Sequence, residues 1–446
     1  MKRQASLFAA LLPILVLIAL LTYNVFLFED TLAGANQIAL LLASALAGLI
    51  SIWLGLPWNK IREKIVSTIG SAMPSILILL LIGSLAGTWM ISGVVPAMIY
   101  YGLDIINPKM FLFTAVVVSA IVSVATGSSW STIATIGVAL LGIGKALGMS
   151  EAVVAGAIIS GAYFGDKVSP LSDTTNLAPA MAGTDLFTHI RYMFYTTIPS
   201  LTITLIIFLV IGFSGDHSGA LNNVQTVKTA IDGAFNTNPL LFLVPVILLT
   251  IIILKVPPLP SLLAGTLLGG IFAIVFQPHI IADVAGNAEN YLQASYISVM
   301  QAMFGDVSLT TSDASVNELL STSGMRGMLE TVWLILSAMV FGGVMESAGL
   351  LRRITQPIVR YAKSTGSLVA STVGTCIFFN TTASDQYISI VVPGRMFRKT
   401  YEEKGLKPEV LSRTLEDSGT MTSVLIPWNT CGATQSRVLG VDTFAY

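Results

Sequence analysis

The chain has 446 residues, 54% of them hydrophobic and 11% charged, with a mean hydropathy of +0.80 and a formal net charge of −1. A soluble domain carries about 25% charged residues, so this chain cannot cover a water-facing surface of its size. Its 23 Lys/Arg against 24 Asp/Glu leave no basic footprint for nucleic acid, and two cysteines make no disulfide framework. What remains is an all-α polytopic membrane protein, because a hydrocarbon core takes about 20 helical residues per crossing and offers exposed backbone groups no partner.

In chain order, apolar runs at 6–28, 37–56 and 74–92 read as the first spans. Met1-Lys2-Arg3 ahead of an apolar run also fits a signal peptide, but the run meets Glu29-Asp30 with no small-x-small cleavage site, so it reads as an uncleaved span. Residues 109–147 are apolar but interrupted by Thr126-Gly-Ser-Ser-Trp-Ser-Thr132. Each flank of that break is about 15 residues, short for a crossing, which predicts a re-entrant helical hairpin. Residues 151–182 predict a discontinuous helix, interrupted by Gly165-Asp-Lys-Val-Ser-Pro-Leu-Ser-Asp-Thr-Thr-Asn176, and a span at 192–213 follows. An external loop at 214–238 leads to spans at 239–254 and 261–277, a mostly acidic external loop at 278–327 and a span at 329–349. A second hairpin is expected at 366–397, broken by Asn380-Thr-Thr-Ala-Ser-Asp-Gln386, and a second broken helix at 408–435.

With the N-terminus in the cytoplasm, sixteen of the 23 Lys/Arg fall inside and five outside (Lys109, Lys145, Lys228, Arg326, Arg437), while Lys167 and Arg413 lie within membrane segments. This distribution obeys the positive-inside rule and requires each hairpin region to pass an even number of times. The halves also resemble each other. Gly93 matches Gly349 at an offset of 256, and Glu151 and Gly161 match Glu409 and Gly419 at 258. Pro170 matches Pro427, and Gly183-Thr-Asp-Leu-Phe187 matches Gly440-Val-Asp-Thr-Phe444, both at 257. The halves are therefore read as two repeats of opposite orientation, 1–213 and 239–446, an arrangement that points to a transporter's midplane site. The counterpart of 192–213 would fall beyond Tyr446, so a final helix is expected that the sequence does not contain.

A charge at the bilayer centre costs about 2.5–3.5 kcal/mol on insertion scales, so the charges in broken segments need a reason. Ser172, Asp173, Thr174, Thr175 and Asn176 are five consecutive oxygen-bearing side chains, suited to a hard cation such as Na+; the plainer reading is a helix cap. Asp385 with Thr381 and Thr382 marks the second hairpin tip, and Ser128 and Ser129 mark the first, where capping is again the plainer reading. Asp166 and Lys167 are adjacent and offset each other, as ion contact, gate or structural pair. Glu416 and Asp417 lie at salt-bridge spacing from Arg413, which leaves one carboxylate over as a proton-carrying candidate alongside Asp173 and Asp385. Asn429 supplies an oxygen where the first repeat has Ser172 or Asp173. Cys376 and Cys431 read as buried small residues, and Glu346 as a partner of Arg353. There is no HExxH, GxSxG or GxxxxGK[ST], and His189, His217 and His279 fall in loops or at span ends. Nothing points to an enzyme or to a resident cofactor.

The stretch Ser160-Gly-Ala-Tyr-Phe-Gly-Asp-Lys-Val-Ser-Pro-Leu-Ser-Asp-Thr-Thr-Asn-Leu-Ala-Pro-Ala180 strongly resembles the NhaC-type Na+/H+ antiporter family of the ion transporter superfamily. So do Asp385-Gln-Tyr-Ile-Ser-Ile-Val-Val-Pro-Gly-Arg-Met396, Leu411-Ser-Arg-Thr-Leu-Glu-Asp-Ser-Gly419 and Ile426-Pro-Trp428. The similarity covers nearly the whole chain; the absent final helix is its main departure. The resemblance implies inverted repeats with re-entrant hairpins, and Na+ and H+ as cargo. Proton–malate/Na+–lactate exchangers are relatives, so an organic-anion exchanger, with Lys167 or Arg413 as the cationic partner, is the alternative. A passive channel fits the repeat less well. The expectation is alternating access in a cell (inner) membrane, cytoplasmic Na+ being exchanged for external H+ by competition at a buried carboxylate, Asp173 foremost. The lipid bilayer is the surrounding partner, and a second copy of the chain is kept as a candidate partner.

Overall fold

A computed structural model describes residues 5–28, 34–105, 107–214, 220–309, 311, 317, 320–361 and 364–446. Lys2, Arg3, Glu29, Asp30, His217 and Lys363, which entered the sequence reading, lie outside these residues. Among the described residues, eight helices are long and apolar enough to cross a membrane, and a pair bent by 95° (Val224–Ala234 with Pro239–Ile253) passes the same test together. Several carry large apolar side chains outward, as hydrocarbon demands: in α10 (Leu186–Ser214) Ile203, Ile206, Ile207 and Val210 are all more than half exposed. The protein is an all-α polytopic membrane protein.

The chain forms two compact units. The first comprises Met1–Ile76, Asp173–Met193 and Glu330–Thr434; the second comprises Leu77–Ser172, Phe194–Leu329 and Gln435–Tyr446. The chain passes from one to the other within α3 (Trp58–Ile91) and again within both interrupted segments.

In the first unit, α1 (Leu7–Leu27) and α2 (Ala35–Trp53) form an antiparallel pair. Ala39, Ala43 and Ala47 recur at one-turn spacing and are buried with Leu40 against Leu334, Ala338 and Phe341. Small residues at such a seam let helices approach closely where no hydrophobic effect drives them together. The charged run after α2 is not a loop but the first turns of α3, 34 residues long. Its charges support a surface helix: Lys60 pairs with Glu63 at 3.0 Å, and Lys64 reaches Glu346 at 2.6 Å. Glu346 is thus the partner of Lys64 rather than of Arg353, because α3 brings the lysine to it from far along the chain.

The second unit holds the first broken region. Its flanks are longer than the sequence suggests. A 3-10 turn at Pro108–Met110 extends α5 (Phe111–Thr126), and the return, Ser129–Ala146, runs through α6 (Ser129–Thr132), a π-helical turn and α7 (Val138–Ala146). Each flank reaches crossing length, 19 and 18 residues. α8 (Glu151–Asp166) packs parallel to α5 on glycines: a Cβ on Gly161 would meet the Val116 carbonyl, and one on Gly165 the Ala120 carbonyl. α9 (Asp173–Ala182) follows the break and belongs to the first unit.

The two segments read as external loops contain helices, because one face of each is small or apolar. α11 (Ala220–Ala234) anchors through Lys228 to Asp104 of α4 (Val94–Ile105). α12 (Leu243–Ile253) and α13 (Pro258–Phe276) follow. The 278–327 segment holds α14 (Pro278–Ala285), α15 (Tyr291–Phe304) and a short pairing of Val307–Ser308 with Ser321–Thr322. Ala294, Ser298 and Ala302 face inward from α15, and the Ala302 carbonyl lies where a Cβ on Gly87 would be.

Back in the first unit come α16 (Leu329–Ser347), α17 (Leu350–Tyr361), α18 (Thr365–Thr382) and α19 (Gln386–Glu403). α20 (Pro408–Leu415) continues through a π-helical stretch, Glu416–Thr420, into α21 (Met421–Ser423), and α22 (Thr430–Leu439) follows. Left-handed backbone recurs at matched positions: Gly93 and Gly349, Gly127 and Ser384, Gly148 and Gly405, Gly183 and Gly440. Three of these pairs keep the offset of 257 found in the sequence, and the first is at 256.

Candidate functional site

The breaks after α5 and α18, where hairpin tips are expected, are built the same way. A residue with positive φ turns the chain (Gly127 at 69°, Ser384 at 57°), and the next residue caps the returning helix. Ser128 accepts from the Ser131 N–H at 3.2 Å, and Asp385 accepts from the Ile388 N–H at 2.9 Å. The plainer reading of both residues is therefore met, since each satisfies an otherwise orphaned helix donor. Ser129 donates its hydroxyl to Asp166 Oδ2 at 2.6 Å and its backbone N–H at 3.1 Å. Asp166 thus anchors the first tip; it and Lys167 are both buried.

The second tip is held by amides. Asn380 donates to the Gly419 carbonyl at 2.7 Å and to Thr422 Oγ1 at 2.8 Å. Asn429 Nδ2 donates to the Asn380 backbone carbonyl and to its Oδ1, both at 3.1 Å, and Asn429 Oδ1 accepts from the Cys431 N–H at 3.0 Å. Both ends of the Asn429 amide are engaged by protein. The Thr381 and Thr382 hydroxyls donate back to their own helix, to Ile377 and Phe378 carbonyls. Cys376 and Cys431 are buried and not disulfide-bonded; Cys431 Sγ donates to Gln386 Oε1, which also accepts from Ser423 at 3.0 Å.

Burial is distributed differently from the sequence expectation. Asp173 and Asn176, one turn apart at the start of α9, are exposed, while Thr174 and Thr175 on the other face are buried, and Ser172 just before them is buried too. Among the described residues, Asp166 and Asp385 are buried carboxylates, and Glu416 has no solvent exposure at all. Its Oε1 accepts from the hydroxyls of Thr174 and Thr420, each at 2.9 Å. Asp417 is only half-buried, and Arg413 lies with its guanidinium 4.6 Å from the centre of the Tyr192 ring, a cation–π distance. The π-helical stretch from Glu416 alters the i+3/i+4 geometry assumed for these three residues; such bulges concentrate at functional sites.

Sequence reasoning passed over Thr420, Asn380, Gln386 and His189. Asn380 and Gln386 bound the polar string that marks the break, and Thr420 is four residues from Glu416, so their signals were present. His189 was read as a span-end residue; it is fully buried in the first turn of α10, with Nδ1 2.8 Å from Ser412 Oγ. Outside the membrane segments, Asp185 caps α10. The hydroxyl and then the N–H of Thr188 hold its carboxyl below the usual 3.8.

A family model described as the Na+/H+ antiporter family matches residues 161–446. The Na(+)/H(+) antiporter NhaC of Alkalihalophilus pseudofirmus is 36% identical over 446 residues, all of this chain and 92% of that protein. The malate-2H(+)/Na(+)-lactate antiporter of Bacillus subtilis is 36% identical over 446 residues, with 100% and 91% covered. The arginine/ornithine antiporter ArcD of Halobacterium salinarum is 34% identical over 449 residues, with 100% and 89% covered. The chain belongs to the Na+/H+ antiporter family.

Proposed function

We propose that this chain exchanges cytoplasmic Na+ for external H+ by alternating access, with Glu416 as the carboxylate that holds either ion. One observation carries the reading: a carboxylate with no solvent exposure, in a π-helical stretch of a membrane protein, meets two hydroxyls contributed by α9 and its own helix. An ionised group in such a place is costly and is kept for function. The hydroxyls of Thr174 and Thr420 donate to the carboxylate, which leaves their oxygen lone pairs to face a cation, and a hard cation selects such oxygens. A proton on the carboxylate removes the charge that holds Na+, so the two ions exclude each other. Asp173, exposed at the start of the same helix as Thr174, is placed as an entry residue rather than the exchanging group.

The hairpins are read as re-entrant although their flanks reach crossing length. Their tips are buried in protein: Ser129 and Asp385 are 1% and 2% exposed. Water-soluble ends would have no need of that, whereas buried non-helical backbone at membrane depth is the expected form of a transporter hairpin. The matched left-handed positions and the Lys/Arg distribution support two repeats of opposite orientation, with the N-terminus cytoplasmic in a cell membrane.

The test is reconstitution of the full chain in vesicles with an internal pH dye. Addition of Na+ is expected to drive proton movement without organic solutes. Proton movement that requires malate and lactate, or arginine, would replace the reading with organic-ion exchange, which the names of two relatives make the competing outcome.

A further inference from the structure

A π-helical stretch is a rare form of backbone, and an α-helix is its ready alternative. The stretch Glu416–Thr420 therefore needs something to hold it. Helices α18 and α19 each place a side chain on one carbonyl within it. Asn380 of α18 donates an Nδ2 hydrogen to the Gly419 oxygen at 2.7 Å. Ser389 of α19 directs its hydroxyl to the same oxygen at 3.3 Å, while sharing it with the Gln386 carbonyl at 2.7 Å. Asn380 and Ser389 have no solvent exposure. The approach is close enough to require glycine: a Cβ on Gly419 would lie 2.8 Å from Ile390 Cγ1 and 3.1 Å from Ser389 Oγ.

The Asn380 amide is engaged by protein at both ends. A carbonyl oxygen only accepts, so the atom facing Gly419 is the nitrogen. Its second hydrogen goes to Thr422 Oγ1 at 2.8 Å, and Asn380 Oδ1 accepts from Asn429 Nδ2 at 3.1 Å. Asn429 lies in the break between α21 and α22, and it also donates to the Asn380 backbone oxygen at 3.1 Å. A chain of two amides thus ties that break to the end of α18 and to the π-helical stretch. Such a group fixes geometry rather than ligating an ion.

We propose that Asn380 is a positioning residue of the cation site: it holds the π-helical stretch in the form that lets Glu416 meet Thr174 and Thr420 together. This rests on the Na+/H+ reading with Glu416 as its carboxylate. Without the Asn380 bond, the Gly419 oxygen keeps only the longer, shared bond from Ser389, and the stretch is free to tighten into an α-helix. Tightening displaces the residues before the stretch against those after it. Thr174 belongs to α9 and Thr420 to the far end of the stretch, so the displaced carboxylate loses one of the two hydroxyls that now lie at 2.9 Å. Asn380 therefore acts on Na+ affinity without touching the ion.

The experiment measures the Na+ half-saturation and the maximal rate of Na+-driven proton movement in vesicles for the wild type, Asn380→Ala and Ser389→Ala. Asn380→Ala is expected to raise the half-saturation by about ten- to a hundredfold, the equivalent of one hydrogen bond to a charged group, while largely keeping the maximal rate per folded protein at saturating Na+. Ser389→Ala removes the weaker grip on the same carbonyl and should raise the half-saturation by about two- to threefold; it carries the test if Asn380→Ala is not recovered folded. Wild-type half-saturation in the recovered variants, with only the rate or the amount of folded protein lowered, overturns the proposal and leaves Asn380 a structural residue. That result leaves the exchange reading standing. A wild type that moves no protons with Na+ overturns the exchange reading and the proposal with it, so the two failures are distinct.

Discussion

Replacing Glu416 with Gln keeps the shape of the side chain and removes its charge. The amide oxygen still accepts from Thr174 and Thr420, which sit at 2.9 Å. Hydrogen bonds to charged groups contribute about 1.5–3 kcal/mol and neutral ones about 1, and the amide is cheaper to bury, so the net change in stability should be under about 2 kcal/mol. Cation binding loses far more. Two unit charges at 4 Å interact by about 4 kcal/mol at an effective dielectric of 20, which corresponds to about three decades in affinity. Glu416→Gln should therefore unfold in detergent within a few degrees of the wild type, yet show no saturation by Na+ in the vesicle assay at concentrations a hundredfold above the wild-type half-saturation. An equal charge removal at Asp417, which is only half-buried, should leave Na+ saturable. A Glu416→Gln protein with wild-type Na+ half-saturation would refute the assignment and return the role to Asp173 or Asp385.

Three further outcomes follow from the packing and capping. Ser129→Ala removes the hydroxyl that donates to Asp166 at 2.6 Å and should cost about 1.5–3 kcal/mol, read as a lower unfolding midpoint in detergent. Gly161→Ala drives a methyl into the Val116 carbonyl and should cost about 1–3 kcal/mol by the same measurement, while Gly374→Ala, with open space around it, should not. Asp185, whose carboxyl is held low by Thr188, contributes stability that is present above its unfolded value of 3.8 and is lost as pH falls through its lower folded value. Asp185→Asn should thus lower the midpoint at neutral pH and have little effect in strong acid.

Much of the fold was legible along the chain. The bilayer imposes a solvent whose demands are local: a run of apolar side chains long enough to cross, and polar strings only where backbone is shielded. Both breaks were therefore found from their Ser, Thr, Asn and Asp content, and their turning residues are Gly127 and Ser384. The amphipathic start of α3 and the helices within 220–234 and 291–304 were missed, because a helix with one polar face does not register as an apolar run. Sequence favoured Asp173 for the oxygen-rich string around it, whereas the fold turns Asp173 outward and buries Thr174.

By itself, then, the sequence determined the membrane class, the places where the helices break and the family, since each depends on residues close together in the chain. The tertiary structure alone decided that Thr174 meets Glu416, 242 residues away, and that His189 meets Ser412, 223 away. Such pairings are set by how helices pack. Burial and a partner's hydroxyl, on which the proposed role of Glu416 rests, are not properties of the residue's own neighbourhood in sequence.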